Sequence, residues 1–340
     1  MKRASMVMAG QEIKAGEKGC VKLSLSMLHT STPIEIPVYV YHGKKDGPCL
    51  VVSAAIHGDE INGVEIIRRL QRQPQLRRLR GTLICIPVVN VYGFMLQSRY
   101  LPDRRDLNRQ FPGREVGSLA SRLAHLMMSE IISKSTHVVD LHTGSLHRSN
   151  YPQVRLSKTC AESMEMARAF AAPIIVPSTL RDGSLRYATD LKEIPMIIYE
   201  GGEALRLDNW AIKSGLRGVL RVMHHLKMFP PSIRAKSLHP PLQPAVSESS
   251  FWMRAPKGGM VIDPLGLGAR VKQGDRMAYI VDPLGDSRLT LTAPCEGIII
   301  GKTNIPLVNE GDAIFHLGIF QDWHKLDLSL NLFSDMEEFD

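Results

Sequence analysis

His57 and Glu60 stand three residues apart, and His142 lies further along the chain. Two imidazoles and one carboxylate are the donor set of a catalytic zinc site. Such a site takes three protein ligands and leaves a fourth position to water. The H-x-x-E spacing alone occurs often by chance, so its setting has to carry the argument. His57 follows the apolar run 49–56, which reads as a buried strand, and residues 61–70 have apolar side chains at helical spacing. The pair therefore falls where a strand gives way to a helix, and positions i and i+3 on a helical turn share one face. His142 ends a second apolar run, 136–142, and is followed by Thr143 and Gly144.

Between these ligands lies a segment, 99–113, dense in charge, broken by Pro and Gly and without periodicity. It reads as a long loop. One account of it is a solvated basic loop. The other is a carboxylate clamp, because Arg109 offers a planar fork of donors suited to bidentate binding and Asn108 adds a neutral donor beside it. Arg99 could polarise a carbonyl oxygen near the metal.

The order H-x-x-E, D-x-N-R and a distal His resembles the zinc carboxypeptidase clan. The wording His57-Gly-Asp-Glu60, Asp106-Leu-Asn108-Arg109 and Asp140-Leu-His142-Thr-Gly144 resembles its succinylglutamate desuccinylase/aspartoacylase branch, over about residues 20–320. The resemblance implies that His57, Glu60 and His142 bind one zinc ion per chain. It implies that Asp106 orients His57, as metal-bound histidines generally require. It assigns the free carboxylate of a substrate to Asn108 and Arg109, and the oxyanion to Arg99, for which Arg104 and Arg105 compete. It also places a catalytic carboxylate at the end of an apolar strand, which here is Glu200, followed by Gly201 and Gly202. Glu203, past the glycines, is the alternative. The implied activity is a zinc-dependent amidohydrolase, a deacylase acting on a small anionic N-acylated amino acid. A carboxypeptidase for short peptides is the second reading, and a non-catalytic binding protein on the same scaffold is a third.

The rest of the composition sets bounds. The five cysteines, at 20, 49, 85, 160 and 295, show no paired spacing and fit free thiols in a reducing, cytoplasmic setting. The basic start lacks a sustained apolar segment, and no run approaches the ~18 apolar residues of a membrane span. The net charge of +8 comes in large part from Arg68, Arg69 and the run 72–80. That run reads as a solvated helix face, since no aromatic-basic interleaving marks a nucleic-acid module. Paired His224 and His225 read as ordinary residues of a helix end, and His147 and Arg148 as candidates for a pocket wall. An assembly of identical chains is left open.

These residues need a scaffold. Alternating strands (34–41, 50–56, 82–88, 137–142, 173–176, 196–200) and helices (63–70, 117–134, 160–171, 208–226) predict an α/β fold. Its mixed, mostly parallel central sheet, flanked by helices, would be zinc-carboxypeptidase-like. The site residues would then sit at strand C-terminal ends, where open sheets put ligands. The catalytic domain is expected over 1–230, with 1–33 as a lead-in, then a stiff Pro-rich linker at 231–250. From 251 to 320 an internal repeat appears: Ala255-Pro matches Ala293-Pro, and V-x-x-G-D recurs at 271–275 and 308–312. It predicts a small all-β domain resembling the lipoyl/biotinyl barrel-sandwich, although the segment 282–289 carries no Lys for a carrier role. Residues 321–340 read as an acidic tail.

Overall fold

Strands buried on both faces need apolar side chains at nearly every position, and the continuous apolar runs become the centre of the sheet. In the computed structural model, which describes residues 3–231, 243–285, 287–323, 326 and 330, eight strands of the catalytic part join one large sheet. They are β1 (Lys18–Met27), β2 (Pro33–His42), β3 (Lys45–Ala54), β4 (Arg80–Ile86), β5 (His137–Gly144), β6 (Arg148–Ser157), β7 (Ile174–Ser178) and β8 (Met196–Glu203). The helices between and after them are α1 (Asn62–Leu70), α2 (Val91–Met95), α3 (Leu119–Glu130), α4 (Ala161–Phe170), α5 (Leu185–Asp190) and α6 (Asn209–His225).

Across the sheet the order is β1-β2-β4-β3-β5-β8-β6. The four central strands, β4-β3-β5-β8, are parallel. Around them β2 runs antiparallel to β4, β1 to β2, and β6 to β8. Successive side chains feed opposite faces. Val51 and Val138 pack with Leu123 and Met127 of α3, while Val52, Val139 and Leu141 pack with Ile66, Phe170 and Val219 of α1, α4 and α6. The fold is mixed α/β, with helices on both faces of one large sheet.

Four strands of the catalytic part lie outside the expected set: β1, β6, and a short antiparallel pair ahead of β1, Met6–Met8 with Gln11–Ile13. β1 occupies what reads as a lead-in, with Val21, Leu23 and Leu25 buried in strict alternation with polar neighbours. β6 was hidden by its composition, because its buried positions include Asn150 and Gln153. The Gln153 side-chain amide donates to the Ile300 carbonyl at 3.0 Å. The helix expected over 117–134 starts later, because the Ser118 side chain caps it by accepting from Ser121 N–H. It ends at Glu130 and is followed by a 3-10 turn, Ile132–Lys134.

The C-terminal part is antiparallel β. Gly297–Thr303 pairs with the start of β6, then Ala313–Ile319 and Ser249–Arg254 add on, so the central sheet runs on into this region. A separate four-stranded sheet holds Arg288–Thr292, Arg276–Val281, Gly259–Ile262 and Leu307–Val308. The sequence repeat has a reciprocal form. Arg270–Val271 of the first copy pairs with Gly297–Thr303 of the second, and Leu307–Val308 of the second pairs with Gly259–Ile262 of the first. Gly274 N–H donates to the Ala293 carbonyl, and Gly311 N–H donates to the Ala255 carbonyl, each at 2.9 Å. Each V-x-x-G-D turn thus ties down the Ala-Pro of the other copy. Of the Pro-rich segment, 232–242 lies outside the described residues, as does 331–340 of the acidic tail. Ala245–Val246 pairs with β7.

Candidate active site

The sheet delivers the three proposed ligands from two adjacent parallel strands. β3 ends at Ala54, and residues 57–60 form a turn before α1 instead of its first helical residues. Glu60 N–H donates to the His57 carbonyl at 3.1 Å, and that turn, not a helix face, brings the two side chains together. The intervening Gly58 is required by packing: a Cβ there would stand 1.9 Å from the Gly93 carbonyl carbon. His142 sits near the end of the neighbouring strand β5, which is buried along its whole length.

One donor atom each from His57, Glu60 and His142 lies within 4.8 Å of the others. All three are buried, at 3%, 2% and 5% exposure. His57 Nδ1 lies 2.7 Å from Glu60 Oε1, and His142 Nδ1 lies 2.7 Å from Glu60 Oε2. Both imidazoles turn Nδ1 inward and Nε2 outward. His57 Nε2 meets Asp106 Oδ1 at 3.2 Å, and His142 Nε2 meets Asp140 Oδ2 at 2.6 Å. Asp140 is held in turn by Ser53 Oγ at 2.7 Å. An outer carboxylate on each imidazole fixes its tautomer and leaves the inner nitrogen free to ligate. This donor set, with two nitrogens and a carboxylate oxygen converging, fits a zinc ion.

The charges are strongly coupled. Burial lowers the basicity of His57, but the Glu60 charge and the Asp106 contact outweigh it and the net shift is upward. His142 follows the same pattern, with Asp140 and Glu60 carrying it well above the ordinary imidazole value. Burial also works against the Glu60 carboxylate, yet the two imidazoles hold its pKa far below the usual range. Asp106 is lowered likewise, by His57 and Arg99 against its own burial.

A cleft of about 700 Å³ opens over this triad. Glu200 lines it, because Glu200 and His142 are register partners on β8 and β5. The Glu200 carboxylate accepts from the Asn150 amide and lies 3.3 Å from Arg155 Nε, both on β6. Glu203 lies past a register shift in β8, outside the cleft, where it accepts from Asn304 at 2.8 Å. Arg99 also lines the cleft, bridging Asp106 (3.0 Å) and Glu60 (3.2 Å). Arg104 and Arg105 do not line it, and Arg105 is paired with Asp103 at 3.8 Å.

Asn108 and Arg109 lie in the cleft wall, in the short 3-10 turn Leu107–Arg109. The Asn108 side-chain oxygen accepts from Leu185 N–H at 2.9 Å, which leaves its amide group as donor. Burial, with Arg181 and Arg99 nearby, lowers the Arg109 pKa, so this guanidinium sits in a positive field. Arg148 lines the cleft as expected, while His147 does not. His224 packs against Phe229, away from the triad.

Several residues of the site and its supports escaped the sequence. Asp140 could have been found, since residues i and i+2 of a strand share a face and put it beside His142. Asn150 and Arg155 belong to the unrecognised β6. Trp252 reaches the cleft from the C-terminal region, stacked on His316 at 4.8 Å with Arg148 over its ring at 5.2 Å. No local spacing links it to the triad.

Comparison with known proteins gives the same direction. Residues 46–226, more than half the chain, match the succinylglutamate desuccinylase/aspartoacylase catalytic domain. Over 311 residues, covering 88% of this chain and 90% of its relative, the sequence is 24% identical to an N-alpha-acetyl-L-2,4-diaminobutyric acid deacetylase of Halomonas elongata. The fold is shared with a succinylglutamate desuccinylase/aspartoacylase of Rhodobacter sphaeroides, with a TM-score of 0.78 and 24% identity over 90% of this chain and 96% of the other. It is shared equally with the product-bound ectoine utilization protein EutE (DoeB) of Ruegeria pomeroyi, with a TM-score of 0.79 and 22% identity over 89% and 95% of the two chains. On the match that spans both strand ends of the triad, the chain belongs to the succinylglutamate desuccinylase/aspartoacylase family.

Proposed function

We propose that this chain is a zinc-dependent amidohydrolase that removes the acyl group from an N-acylated amino acid or a related small amide. The observation that carries this reading is the convergence, in one cleft, of the His57–Glu60–His142 triad with a carboxylate outside the triad, Glu200, and the Asn108–Arg109 donors. The Halomonas relative's deacetylase name points the same way.

His57, Glu60 and His142 hold the ion, and Asp106 and Asp140 orient the two imidazoles. When bound, zinc acidifies water and polarises a carbonyl oxygen. Glu200, held by Asn150 and Arg155, takes the proton from the attacking water and passes it to the departing amine. Arg99 faces the negative charge that develops on the carbonyl oxygen. The Asn108 amide and the Arg109 fork hold the substrate's free carboxylate. The C-terminal β region, entering the cleft through Trp252, acts as one wall of it. The five cysteines are free thiols, which supports a reducing, cytoplasmic setting. Among the described residues no helix is long and apolar enough to cross a membrane.

The test is bound-metal analysis of purified protein, followed by a side-by-side screen of N-acetyl amino acids, N-succinyl amino acids and dipeptides. Release of the free amino acid from an acyl derivative supports the reading. Zinc-loaded protein that turns over dipeptides alone would replace it with a peptidase.

A further inference from the structure

The end of the sheet opposite the cleft carries a second concavity, of about 670 Å³. Its position follows from the chain path. Lys45 opens β3 inside this groove, while the other end of β3 leads to His57. At about 3.3 Å per residue, the length of β3 separates the two sites by about 30 Å.

Seven cations line the groove from four separate segments. Lys18 comes from the start of β1, Lys44 and Lys45 from the β2–β3 turn, Arg72, Arg77 and Arg78 from the stretch after α1, and Arg80 from the start of β4. Glu17 is the one carboxylate among the described lining residues. Nearby acids are engaged elsewhere: Asp46 pairs with Arg3 at 3.2 Å, and Glu65 with Arg69 at 2.7 Å. Among the described residues, Lys44, Lys45, Arg72, Arg77 and Arg80 make no ion pair. The floor holds Tyr41, Leu76 and Leu79, all buried, and Lys18 Nζ lies 4.9 Å from the Tyr41 ring centroid.

The basic run after α1 is therefore not a plain solvated face. Arg68 and Arg69 share the Glu65 carboxylate, but Arg72, Arg77 and Arg80 turn to a shared concavity. Like charges gathered without counter-charges repel one another, and a concave low-dielectric wall focuses their field. An anion relieves that repulsion. One carboxylate would engage one or two of the cations, whereas a chain of phosphates spans several, and guanidinium forks match phosphate oxygens. The volume suits a small molecule. The cations surround a hollow instead of tracking a stripe, which disfavours a nucleic-acid strand.

We propose that this groove is a binding site for a small polyphosphorylated ligand of nucleotide size, separate from the catalytic cleft. The experiment is calorimetric titration of the full zinc-loaded chain with inorganic triphosphate and, in parallel, with ATP. Saturable one-to-one binding is expected for both, weakening as salt rises. Lys44→Glu and Arg77→Glu, both at exposed positions, should each weaken it by about 10-fold or more, the scale of one charge-assisted contact. Lys272→Glu, an exposed cation elsewhere, should leave it unchanged. Tighter binding of ATP than of triphosphate would assign the apolar floor to a base or sugar. Absence of saturable binding, or binding that ignores the two groove variants, overturns the proposal. So does affinity that appears only for oligonucleotides and grows with their length.

Discussion

Glu60 is the residue on which the site turns, since its two oxygens reach both imidazoles at 2.7 Å. Zinc at about one ion per chain is expected, and His57→Ala, Glu60→Ala and His142→Ala should each lose most of it in elemental analysis; full retention in all three would remove the triad from the account. Because both imidazole pKa values are raised, protons compete with the ion. Zinc affinity, read by competition with a chelator, should therefore fall steadily from pH 8 to pH 6. The sign for the metal-free fold is the reverse. A raised histidine stabilises that fold fully below the unfolded value of about 6.5, and this is lost as pH climbs through the folded value. Glu200→Gln should keep zinc and lower kcat by ~10²-fold or more. An active Glu200→Gln beside a dead Glu203→Gln would reverse the choice of base. At the clamp, a hydrogen bond to a charged group contributes roughly 1.5–3 kcal/mol, about 10- to 150-fold. Substrates with a free carboxylate should be cleaved that much faster than their amides, and Arg109→Lys should shrink the ratio because an ammonium lacks the fork.

Elements decide whether those side chains meet. β3 and β5 are adjacent and parallel, so their C-terminal ends present His57 and His142 on the same side of the molecule. β8 adds Glu200 one strand over. The turn 57–60 depends on Gly58 lying against the Gly93 backbone. Gly58→Ala should push that turn away, costing about 1–3 kcal/mol as an overpacked contact. Thermal melts of the metal-free protein should show the loss, and zinc content should drop with it. Unchanged stability together with unchanged zinc would mean that the turn is not held by this contact.

On the scale of the whole molecule, the cleft is closed by a residue some 110 positions away from His142 in sequence, Trp252. Its ring supports Arg148, and a cation–π contact contributes about 0.5–2 kcal/mol. Trp252→Ala should raise KM by roughly 2- to 30-fold and leave zinc content intact. An unchanged KM would show that the C-terminal region does not touch substrate. The continuity of the sheet from β6 into Gly297–Thr303 is what brings this residue within reach.

The sequence by itself singled out His57, Glu60 and His142, the segment Asp106 to Arg109 and Glu200 as candidates, and marked the central strands that carry them, but not the order of those strands in the sheet. It could single them out because buried strands write themselves as apolar runs and because the ligands fall at their ends, in short segments of fixed spacing. β6 was not legible, since it buries polar residues whose partners are distant in the chain, such as the Gln153 amide on the Ile300 carbonyl. For the same reason the groups that hold Glu200, Asn150 and Arg155, emerged only with the fold. The reading of 57–60 as helical also needed correction, because the Gly58–Gly93 contact that makes it a turn spans two segments. Tertiary structure alone decided which arginines pair with a carboxylate and which face a cavity. Charge pairing depends on distance in space, and the sequence records only distance along the chain.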